Sequence, residues 1–152
     1  MKVLAYQGES LISKAIRFQT RSKHSHIAVM LDDGSVIEAW HKGGVQRSPD
    51  FSTLHDPGTK VDVFRIDGEY NKYQVERFLR DQIGKKYDFL SVARFLSRRK
   101  TLHNDKYFCS ELAEYAFAFA GLLLLNGNPS EHSPRDTVLS PHLIFEEQII
   151  TD

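Results

Sequence analysis

Residues 25–40 read Ser-His-Ile-Ala-Val-Met-Leu-Asp-Asp-Gly-Ser-Val-Ile-Glu-Ala-Trp, and this stretch decides the fold. Two runs rich in β-branched and apolar residues flank the turn Asp32-Asp33-Gly34, a pattern typical of a β-hairpin. If this turn is a three-residue loop with its glycine in the left-handed conformation, Ala28 pairs with Glu38, and the side chains of His26 and Glu38 share one face. A two-residue turn would shift the register by one position and place the two side chains on opposite faces.

Weaker periodic patterns on both sides of the hairpin predict the remaining secondary structure. The predicted strands are residues 2–6 and 60–66, and the predicted helices are residues 10–18, 69–83, 88–96, 109–120 and 140–147. A surface loop is predicted for residues 126–136. Because strands precede most of the helices, the sequence predicts an α+β fold.

Length and composition favour one domain without an overall electrostatic attraction to nucleic acid. The 152 residues are the size of a single domain, 1–152. Twenty basic and 20 acidic side chains give zero formal net charge, so nucleic acid or an anionic membrane would need a local patch. The longest apolar block, residues 116–125, falls short of a bilayer span, and residues 1–6 lack the apolar stretch of a signal peptide. We therefore expect a cytoplasmic protein with no integral membrane segment, and its lone cysteine fits a reducing compartment.

That lone cysteine is a candidate nucleophile. Cys109 lies in Tyr107-Phe108-Cys109-Ser110-Glu111-Leu112, at the start of an apolar helical run. The positive end of a helix dipole stabilises a thiolate, which is the form of cysteine that attacks a carbonyl carbon. The backbone N–H of Cys109 would supply one oxyanion donor, and Tyr107 is a candidate for a second donor or for the wall of the pocket.

A cysteine hydrolase also needs a base within hydrogen-bonding reach of the thiol and a third group that orients the base. His26 is the candidate base, and Glu38 on the opposite strand of the hairpin is the candidate third member. A strand-centre carboxylate that faces a core is costly unless it is paired, which favours a partner for Glu38. The structural alternatives are a Cys109 that acts as a small buried apolar side chain, a His26 bonded to the backbone and a Glu38 that faces solvent.

Five short segments follow one another in a distinctive order along nearly the whole chain. They are Ser25–Val29, the strand that contains Glu38, Lys86–Phe89, Phe108–Leu112 and Ser140-Pro141. Together they resemble the circularly permuted branch of the NlpC/P60 papain-like superfamily, which includes the YiiX-like and YaeF-like amidases and, more distantly, the lecithin retinol acyltransferases. Ordinary papain-like enzymes carry the cysteine before the histidine, so the reversed order matches the permuted branch. The chain departs from the family pattern where Gln7-Gly8-Glu9-Ser10 replaces a Gly-Asp pair.

The resemblance implies a circularly permuted papain-like fold, in which an antiparallel sheet packs against helices and the cysteine begins a helix. By the same resemblance Cys109 is the nucleophile, His26 the base and Glu38 the third member of the triad. The implied function is a cysteine hydrolase of the amidase or peptidase type, which cleaves an amide, isopeptide or N-acyl bond through a thioester. We expect a small peptide or an acylated small molecule as substrate, and no metal or organic cofactor.

Three alternatives remain open at this point. A lipid acyltransferase of the same fold would use an apolar groove near Leu122–Leu125, which otherwise belongs to the core. A catalytically inactive binding module would keep the fold without an activated thiol. A zinc site would combine His24 and His26, which lie two residues apart, with Glu38 or Cys109.

Overall fold

The computed structural model describes residues 1–88 and 108–152. Within these ranges six strands form one sheet in the order β4-β3-β2-β1-β5-β6, and every pair of neighbours is antiparallel. The strands are β1 (Lys2–Tyr6), β2 (His26–Met30), β3 (Val36–Trp40), β4 (Gly44–Ser48), β5 (Lys60–Ile66) and β6 (Leu143–Ile150). The helices are α1 (Leu11–Thr20), α2 (Lys72–Gln82), α3 (Cys109–Phe119) and α4 (Pro134–Val138). The predicted α+β class, with an antiparallel sheet packed against helices, is confirmed.

Side-chain caps determine where the first two helices begin. The Ser10 side chain accepts a hydrogen bond from the backbone N–H of Ser13 at the start of α1. The Asn71 side chain does the same for the backbone N–H of Gln74, so α2 begins at Lys72 rather than at the predicted residue 69. No described helix is longer than 11 residues, and none is long and apolar enough to cross a bilayer.

The central hairpin has the register of the three-residue turn. Val29 pairs with Ile37, and the backbone N–H of Leu31 donates to the carbonyl of Ser35 at 2.8 Å. Gly34 has φ of 83°, the left-handed conformation that this turn requires. The shifted register of a two-residue turn is therefore excluded.

The sheet has two buried faces, and α3 covers one of them. On that face Ile27 and Val29 of β2 belong to one apolar cluster with Cys109 and Leu112 of α3. The other face carries a smaller cluster that contains Leu4, Tyr6, Ala28, Val36, Val61 and Val63. Because side chains alternate along a strand, His26 belongs to the second face together with Ala28.

The predicted C-terminal helix over residues 140–147 is wrong. Leu143–Ile150 is the edge strand β6, which pairs with β5 from Lys60–Ile150 to Ile66–Leu143 with one bulge. Its sequence is rich in β-branched and aromatic residues, and its side chains are largely exposed, so a helix there would have no buried stripe to pack. The Ser140 hydroxyl instead donates to the carbonyl of Leu124 at 2.5 Å, which holds the preceding turn against the core.

Two further predictions need correction, and one lies outside the described residues. The predicted surface loop over 126–136 contains a 3₁₀ turn, Pro129–Glu131, and the start of α4, where Ser133 and Asp136 form a capping box. Strand β4 was not predicted, because its short sequence between turn residues has no clear alternation. Apart from its proposed cap, Asp88, the helix predicted for residues 88–96 lies outside the described residues.

Candidate active site

The structure brings together two of the predicted site residues, His26 and Glu38. The imidazole Nε2 of His26 lies 2.5 Å from Oε2 of Glu38, and both side chains are buried. The hairpin register accounts for this contact, because it places the two side chains on the same face of neighbouring strands. Glu38 is only 1% exposed, so its charge depends on the groups around it.

A second histidine, which the sequence did not indicate, completes a cluster around the same carboxylate. His55 lies in the connection between β4 and β5, and its Nε2 is 3.1 Å from Oε2 of Glu38. The ligand-type atoms of His26, Glu38 and His55 all lie within 4.8 Å of one another. The Ser-Thr-Leu-His-Asp context of His55 has no periodic pattern, so only the folded loop reveals its position.

Aromatic rings fix the orientation of both imidazoles. Tyr6 stacks on His55 with ring centroids 3.6 Å apart and an angle of 11° between planes. Trp40 packs edge-on against His26 at 5.1 Å and against His55 at 4.7 Å. The Tyr6 hydroxyl in turn donates to the carbonyl of Phe51 at 3.0 Å. The two imidazoles therefore sit in an aromatic box, and this packing limits their rotation.

The electrostatics of the cluster favour an ionised Glu38 beside a neutral His26. Burial alone would raise the pKa of Glu38, but hydrogen bonds from His26 and His55 outweigh it and lower the pKa to about 2. Burial lowers the pKa of His26 below its usual value, despite the opposing effect of Glu38. The second carboxylate oxygen of Glu38, Oε1, is buried and has no hydrogen-bond partner among the described residues.

Cys109 is the first residue of α3, and it is almost completely buried. It is 2% exposed, and burial raises the pKa of its thiol to about 12. The backbone N–H groups of Ile27, Ser110 and Cys109 itself lower this pKa, but they do not compensate for burial. At this buried thiol, desolvation therefore outweighs the helix dipole.

Cys109 lies in the same apolar cluster as Ile27, the residue that follows His26. In the described part of the chain, the β2–β3 ladder consists of Val29–Ile37 and Met30–Val36, so it ends before it reaches His26. Ile27 and Cys109 belong to one apolar cluster on the face that α3 covers, and the Ile27 N–H lowers the pKa of the thiol. Between the described side chains of Cys109 and His26 there is no hydrogen bond. Tyr107, the candidate second oxyanion donor, lies outside the described residues.

Two adjoining cavities lead to the cluster. A crevice of about 30 Å³, with room for little more than a water molecule, is lined by His26, Trp40 and Tyr87 among others. A groove of about 400 Å³ shares Trp40 and His41 with this crevice and reaches His55. A groove of this volume is large enough for a small organic ligand.

His24 lies apart from this cluster. Its Nε2 is 2.8 Å from Oδ2 of Asp62, which Lys23 also contacts at 2.7 Å. The zinc set that combined His24 with His26 is therefore wrong. Arg17, which precedes Lys23 and His24 in the sequence, is also paired within the chain, since it bonds Glu9 at 2.5 Å.

Comparison with solved structures shows a protein of similar fold. No protein-family model matches the chain. No curated protein matches it either. The crystal structure of the metalloprotein YiiX from Escherichia coli O157:H7 is similar, with a TM-score of 0.71 and 20% sequence identity. The match covers 97% of this chain and 96% of YiiX. The two proteins share a fold over nearly their full lengths.

Proposed function

We propose that this protein is a thiol-dependent hydrolase that cleaves an amide, isopeptide or N-acyl bond in a small peptide or acylated small molecule. In this proposal the fold is the permuted papain-like one, Cys109 is the nucleophile, His26 is the base and Glu38 orients the base. The observation that carries it is the 2.5 Å contact between His26 and Glu38 at the start of β2, where the next residue, Ile27, shares an apolar cluster with Cys109.

His26 has the properties of a general base that is already oriented. Burial keeps its imidazole neutral, and Glu38 holds the ring through Nε2. The other ring nitrogen, Nδ1, is then the atom that accepts a proton. The ionised Glu38 stabilises the imidazolium that forms after this transfer.

The raised pKa of Cys109 points to a neutral thiol in the resting protein rather than to a preformed ion pair. In this proposal, a rearrangement on substrate binding brings the Cys109 thiol within hydrogen-bonding distance of His26. The sulfur then attacks the carbonyl carbon while its proton passes to Nδ1 of His26. The same proton goes to the leaving nitrogen, and the amine departs from a thioester on Cys109. Water adds to the thioester as His26 removes its proton, which releases the acid and restores the thiol.

The start of α3 would stabilise the oxyanion of this reaction. The backbone N–H groups of the first helical turn are not used in the helix, and Cys109 is the first residue of that turn. The groove beside Trp40 and His55 would hold the rest of the substrate. Its volume fits a dipeptide or a short acyl chain better than a polymer.

Turnover of a panel of N-acyl amides and dipeptide anilides, in the presence of a metal chelator, tests the proposal. We expect hydrolysis of at least one member and its loss in Cys109→Ser and His26→Ala. His24→Ala is the matched control, because His24 is also a buried histidine bonded to a carboxylate but lies outside the site. Hydrolysis that survives in folded Cys109→Ser would overturn the proposal.

A further inference from the structure

We propose that His26, Glu38 and His55 form a binding site for a divalent transition-metal ion, with Zn²⁺ as the best match. Two imidazoles and one carboxylate are a ligand set that zinc uses when it keeps a fourth position open. Nothing in the sequence pattern indicates this set, because its members come from β2, β3 and the β4–β5 connection. Two observations point to this site. The Nε2 atoms of His26 and His55 both face Oε2 of Glu38. The other carboxylate oxygen, Oε1, is buried and has no hydrogen-bond partner among the described residues.

The present geometry is close to that of a coordinated ion. Both Nε2 atoms face the same carboxylate, at 2.5 Å for His26 and 3.1 Å for His55. Metal bonds of about 2.0–2.1 Å in a tetrahedral site separate neighbouring ligand atoms by about 3.3 Å. The ligand atoms would therefore need to move by less than about 1 Å to admit the ion.

The charges of the cluster also suit a cation. Zinc binds neutral imidazoles and an ionised carboxylate, and this set supplies one negative charge to a divalent cation. On metal binding, the ion would take the place of the two imidazole N–H groups that face Glu38. The proton of each imidazole would move from Nε2 to Nδ1. The unpartnered Oε1 of Glu38 supplies a further oxygen, which allows the carboxylate to bind through one or both oxygens.

The surroundings make the site rigid and accessible from one side. Tyr6 stacks on His55, and Trp40 packs edge-on against both imidazoles, so little rotamer entropy remains to be lost on binding. The groove lined by His55 and Trp40 offers an entry path and room for a water molecule at the fourth position. The described residues thus meet the requirements of ligand type, spacing and access.

One consequence rests on the proposed function. When His26 binds the ion through Nε2, its proton lies on Nδ1, so Nδ1 cannot accept the proton of Cys109. The metal-bound protein would therefore be inactive in thiol chemistry, and Zn²⁺ would be a reversible inhibitor. Metal binding itself does not require any activity of Cys109.

Calorimetric titration of the chelator-treated protein with Zn²⁺, together with the visible absorption of the Co²⁺ form, tests the site directly. We expect one ion per chain and the intense absorption of a tetrahedral cobalt site with nitrogen and oxygen ligands. His55→Ala should weaken Zn²⁺ binding by more than about 100-fold, since loss of a ligand costs more than loss of an outer-shell partner. Cys109→Ser should bind Zn²⁺ with the affinity of the wild type, because the thiol is not one of the proposed ligands.

His24→Ala is the control for the loss of a buried histidine, because His24 has its own carboxylate partner, Asp62. Melting curves establish that each variant is folded, and Zn²⁺ should raise the Tm of the wild type but not that of His55→Ala. Less than one ion per chain, or equal affinity in wild type and His55→Ala, would overturn the proposal. If Zn²⁺ binds but no acyl amide is cleaved, the metal site stands and the hydrolase does not.

Discussion

Nε2 of His26 and Oε2 of Glu38 are 2.5 Å apart, at a point where the backbone pairing of β2 and β3 has ended. The last paired residues of β2 and β3 on the turn side are Met30 and Val36, and the ladder ends at Val29 and Ile37. The side chains of His26 and Glu38 therefore join the two strands beyond the last paired residues. Cys109 belongs to the apolar cluster on the other face of the sheet, together with Ile27.

Loss of the Glu38 carboxylate should strongly destabilise the fold. Glu38→Ala leaves two buried imidazole N–H groups without their acceptor, and we expect a loss of at least about 3 kcal/mol in the free energy of unfolding. Glu76→Ala is the control, because Glu76 forms an exposed pair with Arg80 on α2 and should change stability by less than about 0.5 kcal/mol. Urea unfolding measures both, and similar losses in the two variants would contradict the account of the cluster.

Glu111 should make stability depend on pH in an unusual direction. Burial raises the pKa of Glu111 to about 7, so the folded state holds a proton that the unfolded state releases near pH 4.5. Stability should therefore fall as pH rises from about 4.5 to 7. Glu111→Gln removes this slope and can still accept the hydrogen bond from the Phe108 N–H. Urea unfolding from pH 4 to 8 measures it, and an identical slope in Glu111→Gln would show that another group is responsible.

Two glycines should differ sharply in their tolerance of alanine. At Gly34, with φ of 83°, an added Cβ meets nothing within 4 Å, so Gly34→Ala should cost only the backbone strain of about 1 kcal/mol. At Gly44, with φ of 77°, the Cβ would lie 2.1 Å from the carbonyl oxygen of Lys85. That carbonyl also accepts from the Val45 N–H, so Gly44→Ala would push β4 away from residues 84–85.

We expect Gly44→Ala to lower the free energy of unfolding by more than twice as much as Gly34→Ala. Chemical denaturation of the two variants side by side measures the difference. Equal losses would mean that the segment at Lys85 can move away from β4 without cost.

The native thiol should react slowly with a small reagent that has no affinity for the groove. Cys109 is buried and the pKa of its thiol is raised to about 12, so iodoacetamide should label the folded protein far more slowly than the urea-unfolded chain at pH 7.5. The chain has one cysteine, so the mass of the intact protein reports this reaction alone. Labelling as fast as in the unfolded chain would indicate an open, activated thiol in the resting state.

The part of the site that depends on local geometry was predictable, and the part that depends on distant contacts was not. The turn at Gly34 sets the hairpin register, and the register alone brings Glu38 to His26. His55 reaches the same carboxylate from an irregular connection whose path is set by packing against Tyr6. The pKa of Cys109 likewise depends on how deeply α3 is buried, which a helix N-terminus by itself does not reveal.

The error at the C-terminus has a similar cause. Ser140-Pro141 is typical of a helix start, because proline is favoured at the first helical position. However, β5 offers an edge for pairing, and Leu143–Ile150 pairs with it. A local helix signal is weak when a strand partner is available elsewhere in the fold.

The most direct test of the proposed hydrolase is the mass of the intact protein after brief exposure to nitrophenyl esters of short and medium acyl chains. The account predicts that wild type and His24→Ala gain one acyl group on Cys109, and that His26→Ala, with its thiol intact, gains none. Free thiols react with such esters, so the comparison with His26→Ala is the decisive one. Equal acylation of folded wild type and His26→Ala, or no acylation of wild type by any ester, would contradict the assignment of Cys109 and His26 as a catalytic pair.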